Sequence, residues 1–310
     1  MSSGFFQGFN TPAGIDTVPT NSGGMQTRGI ELGINGRIVH TRNIKWDLGI
    51  TLAAYRNKIT RLPGNGQILT SFDGATWLTK KYATANQFYG YKTKGVYASD
   101  ADAAKDGYSR VQADGSLAPF RGGDVRFVDV NGDKIIDDRD RQVIGNPNPD
   151  FAGSINSNFT WKRWSLECLF TFSQGNSIYN YTRNQLESMA TTANQTKAVL
   201  NRWRANGQVT DIPRAAFGDP MGNSAFSDRW IENGSYIRLR TVSVIYEVPF
   251  KPGFVKYATV YLMGNNLLTL TRYKGYDPES SATGSVFGQG IDIPLEPLYR
   301  SLQAGIRIGL

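Results

Sequence analysis

The sequence predicts an all-β fold: an antiparallel transmembrane β-barrel segment, a partial barrel with long extracellular loops and a short helical insertion. Three observations predict it. Apolar and polar residues alternate over runs of about 9–11 residues, the length a tilted strand needs to cross a bilayer. The connections between these runs are by turns very short and very long, the rhythm of a barrel with tight turns on one side of a membrane. The 310 residues are 40% hydrophobic, with 34 Gly, 16 Phe, 15 Tyr and 6 Trp. That is a thin aliphatic supply for a water-soluble globule of this length, and a rich one for strands and turns.

Taken in order, the first strand is marked by Ile30, Leu32 and Ile34. A short turn, 41–43, leads to a second, with Ile44, Trp46, Leu48, Ile50, Leu52 and Ala54 on one face and Lys45, Asp47, Gly49 and Thr51 on the other. Side chains in a strand point to opposite faces in turn, so one face is apolar and the other polar or small. A long external loop, 57–150, follows. Two further strands, 151–161 and 164–172, are joined by Lys162 and Arg163, with Trp161 and Trp164 at one end of the hairpin. Indole rings favour the headgroup level and flanking cations snorkel into water, so this end reads as a membrane girdle.

The second long external loop, 174–234, departs from alternation. Leu186, Met189, Ala190 and Ala193 recur at helical spacing, followed by Val199, Leu200 and Trp203, with Asn194 placed to cap a second short helix. A turn at 249–253 makes a third hairpin, and 271–297 is the third long connection. The last run carries Leu298, Arg300, Leu302, Ala304, Ile306, Ile308 and Leu310 on one face, against Tyr299, Ser301, Gln303, Gly305, Arg307 and Gly309. About seven strands are legible. Counting back from the last one places every short turn on the periplasmic side.

Composition narrows the chemistry. One cysteine, Cys168, excludes a disulfide framework and a thiolate metal cage; one histidine, His40, excludes a multi-histidine metal site and disfavours histidine acid–base catalysis. The net charge of +8 is scattered, with Lys80-Lys81 and Lys162-Arg163 the longest basic pairs, so nucleic acid is not an expected partner. Met1 is followed by Ser-Ser-Gly, which is not a secretory signal pattern, and no run of about 18 apolar residues marks a membrane-spanning helix. A strand-built barrel leaves no such run. No phosphate-binding glycine loop or serine elbow occurs, and Gly23-Gly24 and Gly122-Gly123 read as turns.

The strongest local motif is the acidic loop 129–140, in which Asp129, Asn131, Asp133, Asp137 and Asp140 supply side-chain oxygens and Ile135 a backbone carbonyl. A hard cation takes six to eight oxygens, and this spacing resembles the EF-hand order. Two positions depart from it: Lys134 stands where Gly makes the sharp turn, and Asp140 is shorter than the bidentate Glu. A structural Ca²⁺ is the cofactor these residues suggest, held by Asp129, Asn131, Asp133, Ile135, Asp137 and Asp140. Ile136 would anchor the loop. Paired catalytic carboxylates on a flexible loop relax apart or take a cation, so a glycosidase reading is weak and no enzyme is expected. The competing reading is a soluble, secreted, β-rich carbohydrate-binding module with a Ca²⁺-ordered loop.

Several strings carry a further resemblance. Asp124-Val125-Arg126-Phe127 before the acidic loop, Ile144-Gly145-Asn146-Pro147-Asn148-Pro149 after it, Phe88-Tyr89-Gly90-Tyr91-Lys92, Asn233 to Leu239, Asn265-Asn266-Leu267 and Tyr273 to Glu279 occur in one order. Together they resemble the SusC/RagA family of TonB-dependent outer-membrane receptors. The resemblance implies the C-terminal barrel part, over residues 1–310, of a longer receptor whose plug domain, TonB box and N-terminal strands are not in this sequence. It implies import of glycans or peptides too large for porins, a SusD-like surface lipoprotein as lid, coupling to the TonB system, contact with outer-membrane lipid and an outer-membrane location. Leu310 stands where the resemblance suggests an aromatic residue.

Overall fold

A computed structural model describes residues 5–8, 17–20, 23–64, 66–249, 255–279, 281–282, 288–294 and 296–309. Its largest element is a seven-stranded antiparallel sheet: β1 (Gly24–His40), β2 (Ile44–Arg61), β3 (Phe151–Trp161), β4 (Trp164–Gln174), β5 (Tyr236–Val248), β6 (Tyr257–Thr271) and β7 (Ser301–Gly309). Spatial order equals chain order, so the sheet is an up-and-down meander with every strand beside its sequence neighbours. Near the N-terminus a separate backbone hairpin pairs Phe5–Gly8 with Thr17–Thr20.

The cross-strand register shows what the alternation accomplishes. One rung runs Ile34, Ile50, Ile155, Phe170, Leu239 and Leu268. The adjacent rung on the opposite face runs Gly33, Thr51, Ser154, Thr171, Arg238 and Thr269. A one-residue slip in any strand would exchange the faces, so the two patterns fix the register together. Among the described residues nothing covers the apolar face: Leu302 is 72% exposed and Ile306 69%. In a water-soluble sandwich these residues would form the inner layer.

The polar face satisfies itself across strands. Thr51 Oγ1 and Ser154 Oγ share a hydrogen bond of 2.7 Å, Arg37 donates to Asp47 at 2.8 Å, and Asn265 donates to Ser301 at 3.0 Å. Tyr261 lies across Gly305 on the neighbouring strand, and a Cβ there would run into its ring. On the other face the short-turn end is aromatic: Trp161 pairs with Trp164, whose ring lies 4.6 Å from that of Tyr246. Lys162, in the tight turn at φ +54°, holds its ammonium 5.5 Å above Trp161.

Several boundaries differ from the sequence reading. β1 begins at Gly24, so Gly23-Gly24 is no turn, and β2 continues to Arg61 rather than yielding to a loop at residue 57. These ends carry charged residues, which break the hydrophobic alternation while the backbone ladder continues. The last strand begins at Ser301, not Leu298, because the Leu298 amide donates to Asp277 in a neighbouring loop. β6 contains a bulge at Asn266, φ +53°, opposite a register shift between Leu239 and Thr241. Most of the third turn (residues 250–254) and Leu310 lie outside the described residues.

The helical insertion is shorter than expected. It comprises α2 (Tyr181–Glu187), followed by a separate 3₁₀ turn at Lys197–Asn201. Asn180 caps α2 by accepting from the Arg183 amide. Asn194 caps nothing, since Thr196 precedes the 3₁₀ turn. Met189 and Val199 instead pack with Ile212 in a small core, and Leu200 faces out. An unforeseen helix, α1 (Asp100–Asp106), is capped by Ser99 and ended by Gly107 in the left-handed conformation.

Candidate functional site

The three long connections form a folded cap over one end of the sheet. One apolar core takes Trp77 and Phe88 from the first connection, Tyr179 and Trp230 from the second and Ile291 from the third. A second joins Tyr91, Tyr97, Phe120, Val125, Phe127 and Ile136 to Met221 of the following connection. Burial of apolar side chains in these cores orders the long connections.

The motifs singled out in sequence meet one another in this cap. Gln87–Gly90 pairs antiparallel with Gln142–Gly145, joining the Phe88 string to the Ile144 string. Asp124 is wholly buried, accepts from Arg214 at 2.8 and 3.1 Å and from Asn223 at 3.1 Å, and so ties the first connection to the second. Arg126 grips Asp106 with two hydrogen bonds of 2.6 and 2.9 Å. The two charged residues of this string are explained by their partners, Asp124 by Arg214 on the second connection and Arg126 by Asp106 earlier on its own.

The strings at 233–239 and 273–279 form the principal clamp between cap and sheet. Arg238 projects from β5, buried, and donates to Asp277 and Glu279 at 2.6 Å each and to Thr269 at 3.0 Å. Arg240 and the Tyr236 hydroxyl also bond Glu279, at 2.6 and 2.5 Å. Asp277 further accepts from the Glu279 and Leu298 amides. Burial alone would raise its pKa, but Arg238 and these amides outweigh that and hold the carboxyl below the usual range. Sequence spacing gave no sign that the two strings were partners; the unlike charges at Arg238 and Asp277 were the only available signal.

The acidic loop is arranged differently from the expected cation cage. Asp129 accepts from the Gly132 and Lys134 amides, and Asn131 from the Asp133 amide. Asp133 accepts from the Ile135 amide and lies 2.7 Å from Arg139, which also grips Asp137 at 2.7 Å. Asp140 is fully buried, bonding the Val130 and Asp137 amides, and Ile136 is buried in the cap core as expected. Lys134 takes the sharp turn at φ +63°. Among the described residues no group of three or more His, Cys, Asp or Glu side chains is disposed to hold a metal. The sixfold set of Asp129, Asn131, Asp133, Ile135, Asp137 and Asp140 thus spends its oxygens on Asx turns and on Arg139. His40 ends β1 near a short turn, and Cys168 lies on the apolar face of β4.

What the site offers is therefore a polar sheet face leading to an ordered loop cap. No family model matches the chain. Among curated proteins, it is 31% identical to the TonB-dependent receptor P3 of Formosa agariphila over 96% of its length and 30% of the relative's. It is 25% identical to the TonB-dependent receptor SusC of Bacteroides thetaiotaomicron over 84% of its length and 24% of that protein's. Among solved structures, the RagAB peptide transporter superposes with a TM-score of 0.74 at 24% identity, covering 97% of this chain and 31% of that one, a likeness of fold. The chain thus spans about a quarter to a third of the length of the curated relatives it matches.

Three outcomes are expected. Arg238→Ala leaves Asp277 buried without its cation, which costs about 3–5 kcal/mol. Hydrogen exchange of residues 272–300 should accelerate, and unchanged protection would contradict the clamp. Because the Asp277 pKa is depressed on folding, its contribution is present above about pH 4 and is lost as pH falls through the folded value. For the acidic loop, we propose Ca²⁺ as a competitor of Arg139: calorimetry should show tighter Ca²⁺ binding in Arg139→Ala than in the unaltered protein, and no binding by either would remove the cation.

Proposed function

Because the chain belongs to the SusC/RagA family of TonB-dependent receptors, we propose that it is a barrel segment of an outer-membrane importer of glycans or peptides. The observation that carries this reading is the seven-strand meander with an uncovered apolar face and a polar face beneath a folded cap. In a bilayer the apolar side chains face lipid, the inner strands bond to neighbours on both sides, and the open edges of β1 and β7 would pair with the strands of the longer receptor. The polar face then lines the path, with Asn156, Ser154, Thr171, Gln303 and Arg307 along it.

The segment's role in this reading is passage rather than catalysis. The longer receptor would supply the remaining strands, a plug and the contact with TonB. A SusD-like surface lipoprotein would meet the cap, whose shared cores give it a fixed surface to meet. Ordering by Trp77, Phe88, Tyr179 and Trp230 favours a docking platform over loops that collapse into the lumen.

Uptake tests the proposal. Cells making the whole receptor are given fluorescently labelled oligosaccharide and peptide pools. One pool should accumulate, and accumulation should cease when the gene is deleted or the inner-membrane potential is dissipated. Accumulation that persists in both cases would overturn it.

A further inference from the structure

The outward face of the sheet changes character at its cap end. Along β1 the outward series runs Ile34, Leu32, Ile30 and then Arg28, and the register sets these beside Ile50, Leu52, Ala54 and Arg56. The next rung pairs Gln26 with Lys58. The apolar ladder thus ends in two guanidinium groups side by side, with an ammonium one rung further, all exposed. Like charges opposite each other destabilise a sheet, and among the described residues no carboxylate forms an ion pair with any of the three.

Their height is set by strand geometry. From Ile44, beside the Trp161 girdle, to Arg56 is a run of 12 residues. At about 3.3 Å per residue, and with a strand tilt of about 40°, this rises roughly 30 Å along the membrane normal. That is the thickness of a hydrocarbon core, so Arg28 and Arg56 lie at the interface opposite the tryptophans. Tyr82 sits there too, 67% exposed, its backbone bonded to Ile59 of β2 at 2.8 Å. Lys58 and Lys81 hold their ammonium groups 5.7 and 4.9 Å from its ring. An exposed tyrosine flanked by cations suits a headgroup layer.

These groups border an open cleft of about 980 Å³ in which Asp150 is the one carboxylate among the described lining residues. Cations of the cap differ, since Arg183, Arg214 and Arg238 are each matched by a carboxylate. We propose that Arg28, Arg56 and Lys58, with Tyr82 beside them, bind the phosphate groups of an outer-leaflet lipid. The site rests on the membrane placement argued above. Phosphate neutralises the guanidinium pair, and the acyl chains continue along the Ile30 to Ile34 ladder.

The test uses the whole receptor in nanodiscs of neutral phospholipid, titrated with diphosphorylated lipid A, dephosphorylated lipid A and inorganic phosphate and read by native mass spectrometry. The unaltered receptor should retain diphosphorylated lipid A, and Arg28→Gln/Arg56→Gln/Lys58→Gln should weaken it about tenfold or more. Arg28→Lys/Arg56→Lys, which keeps the charge, should retain it. Equal binding by the triple glutamine variant, or equally tight binding of dephosphorylated lipid A, would overturn the site. So would displacement of the lipid by inorganic phosphate at similar concentration, which would mark a site for a soluble anion. Heat-modifiable migration of the same preparations reports insertion. A receptor that does not insert contradicts the membrane reading, whereas one that inserts and ignores lipid phosphate contradicts this site alone.

Discussion

A peptide group in hydrocarbon has no water to bond, and leaving it unpaired costs several kcal/mol. Everything in this chain follows from meeting that demand with strands. Each of the five inner strands gives its amides and carbonyls to neighbours on both sides in chain order, and the outer edges of β1 and β7 are left for the remaining strands of a barrel. The side chains then have only two directions to take. Lipid selects one set, from Ile34 to Leu268 along a single rung, and water selects the other, from Thr51 to Thr269.

The same demand explains why the cap is built as it is. Long connections leave the bilayer and must order themselves in water, where apolar burial is available again. They do so collectively: aromatic residues from three separate connections enter one core, and buried carboxylates such as Asp124 and Asp277 tie distant segments through arginine. Arg238 stands where the two regimes meet. It belongs to a sheet strand by its backbone and to the cap by its side chain, so strand position is transmitted directly to loop position.

Much of the sheet was legible because its two solvents write a period-two pattern into the sequence. Ile44 to Ala54 and Leu302 to Ile308 need no tertiary information to be read as strands. The strand ends were not legible, since beyond the hydrocarbon a residue such as Arg56 or Lys58 no longer reports which face it occupies. The cap was hardly legible at all. Its order depends on partners far apart in sequence, as between Trp77 and Trp230 or Arg238 and Asp277, and no local period records them. The acidic loop shows a different limit. Its spacing of oxygens is equally suited to a cation and to the Asx turns and Arg139 bridge that occupy it, and spacing alone does not distinguish the two.

Each face of the sheet touches its own medium, lipid on one side and water on the other. Spin labels placed singly at residues 48 to 54 of β2 in the reconstituted receptor, with oxygen and a water-soluble nickel chelate as relaxants, measure this directly. The prediction is a period of two: labels at Leu48, Ile50 and Leu52 relaxed by oxygen, those at Gly49, Thr51 and Ala53 by the chelate. Labels at Ile50 and Leu52 shielded from both relaxants, or relaxed by the chelate as strongly as Thr51, would contradict it.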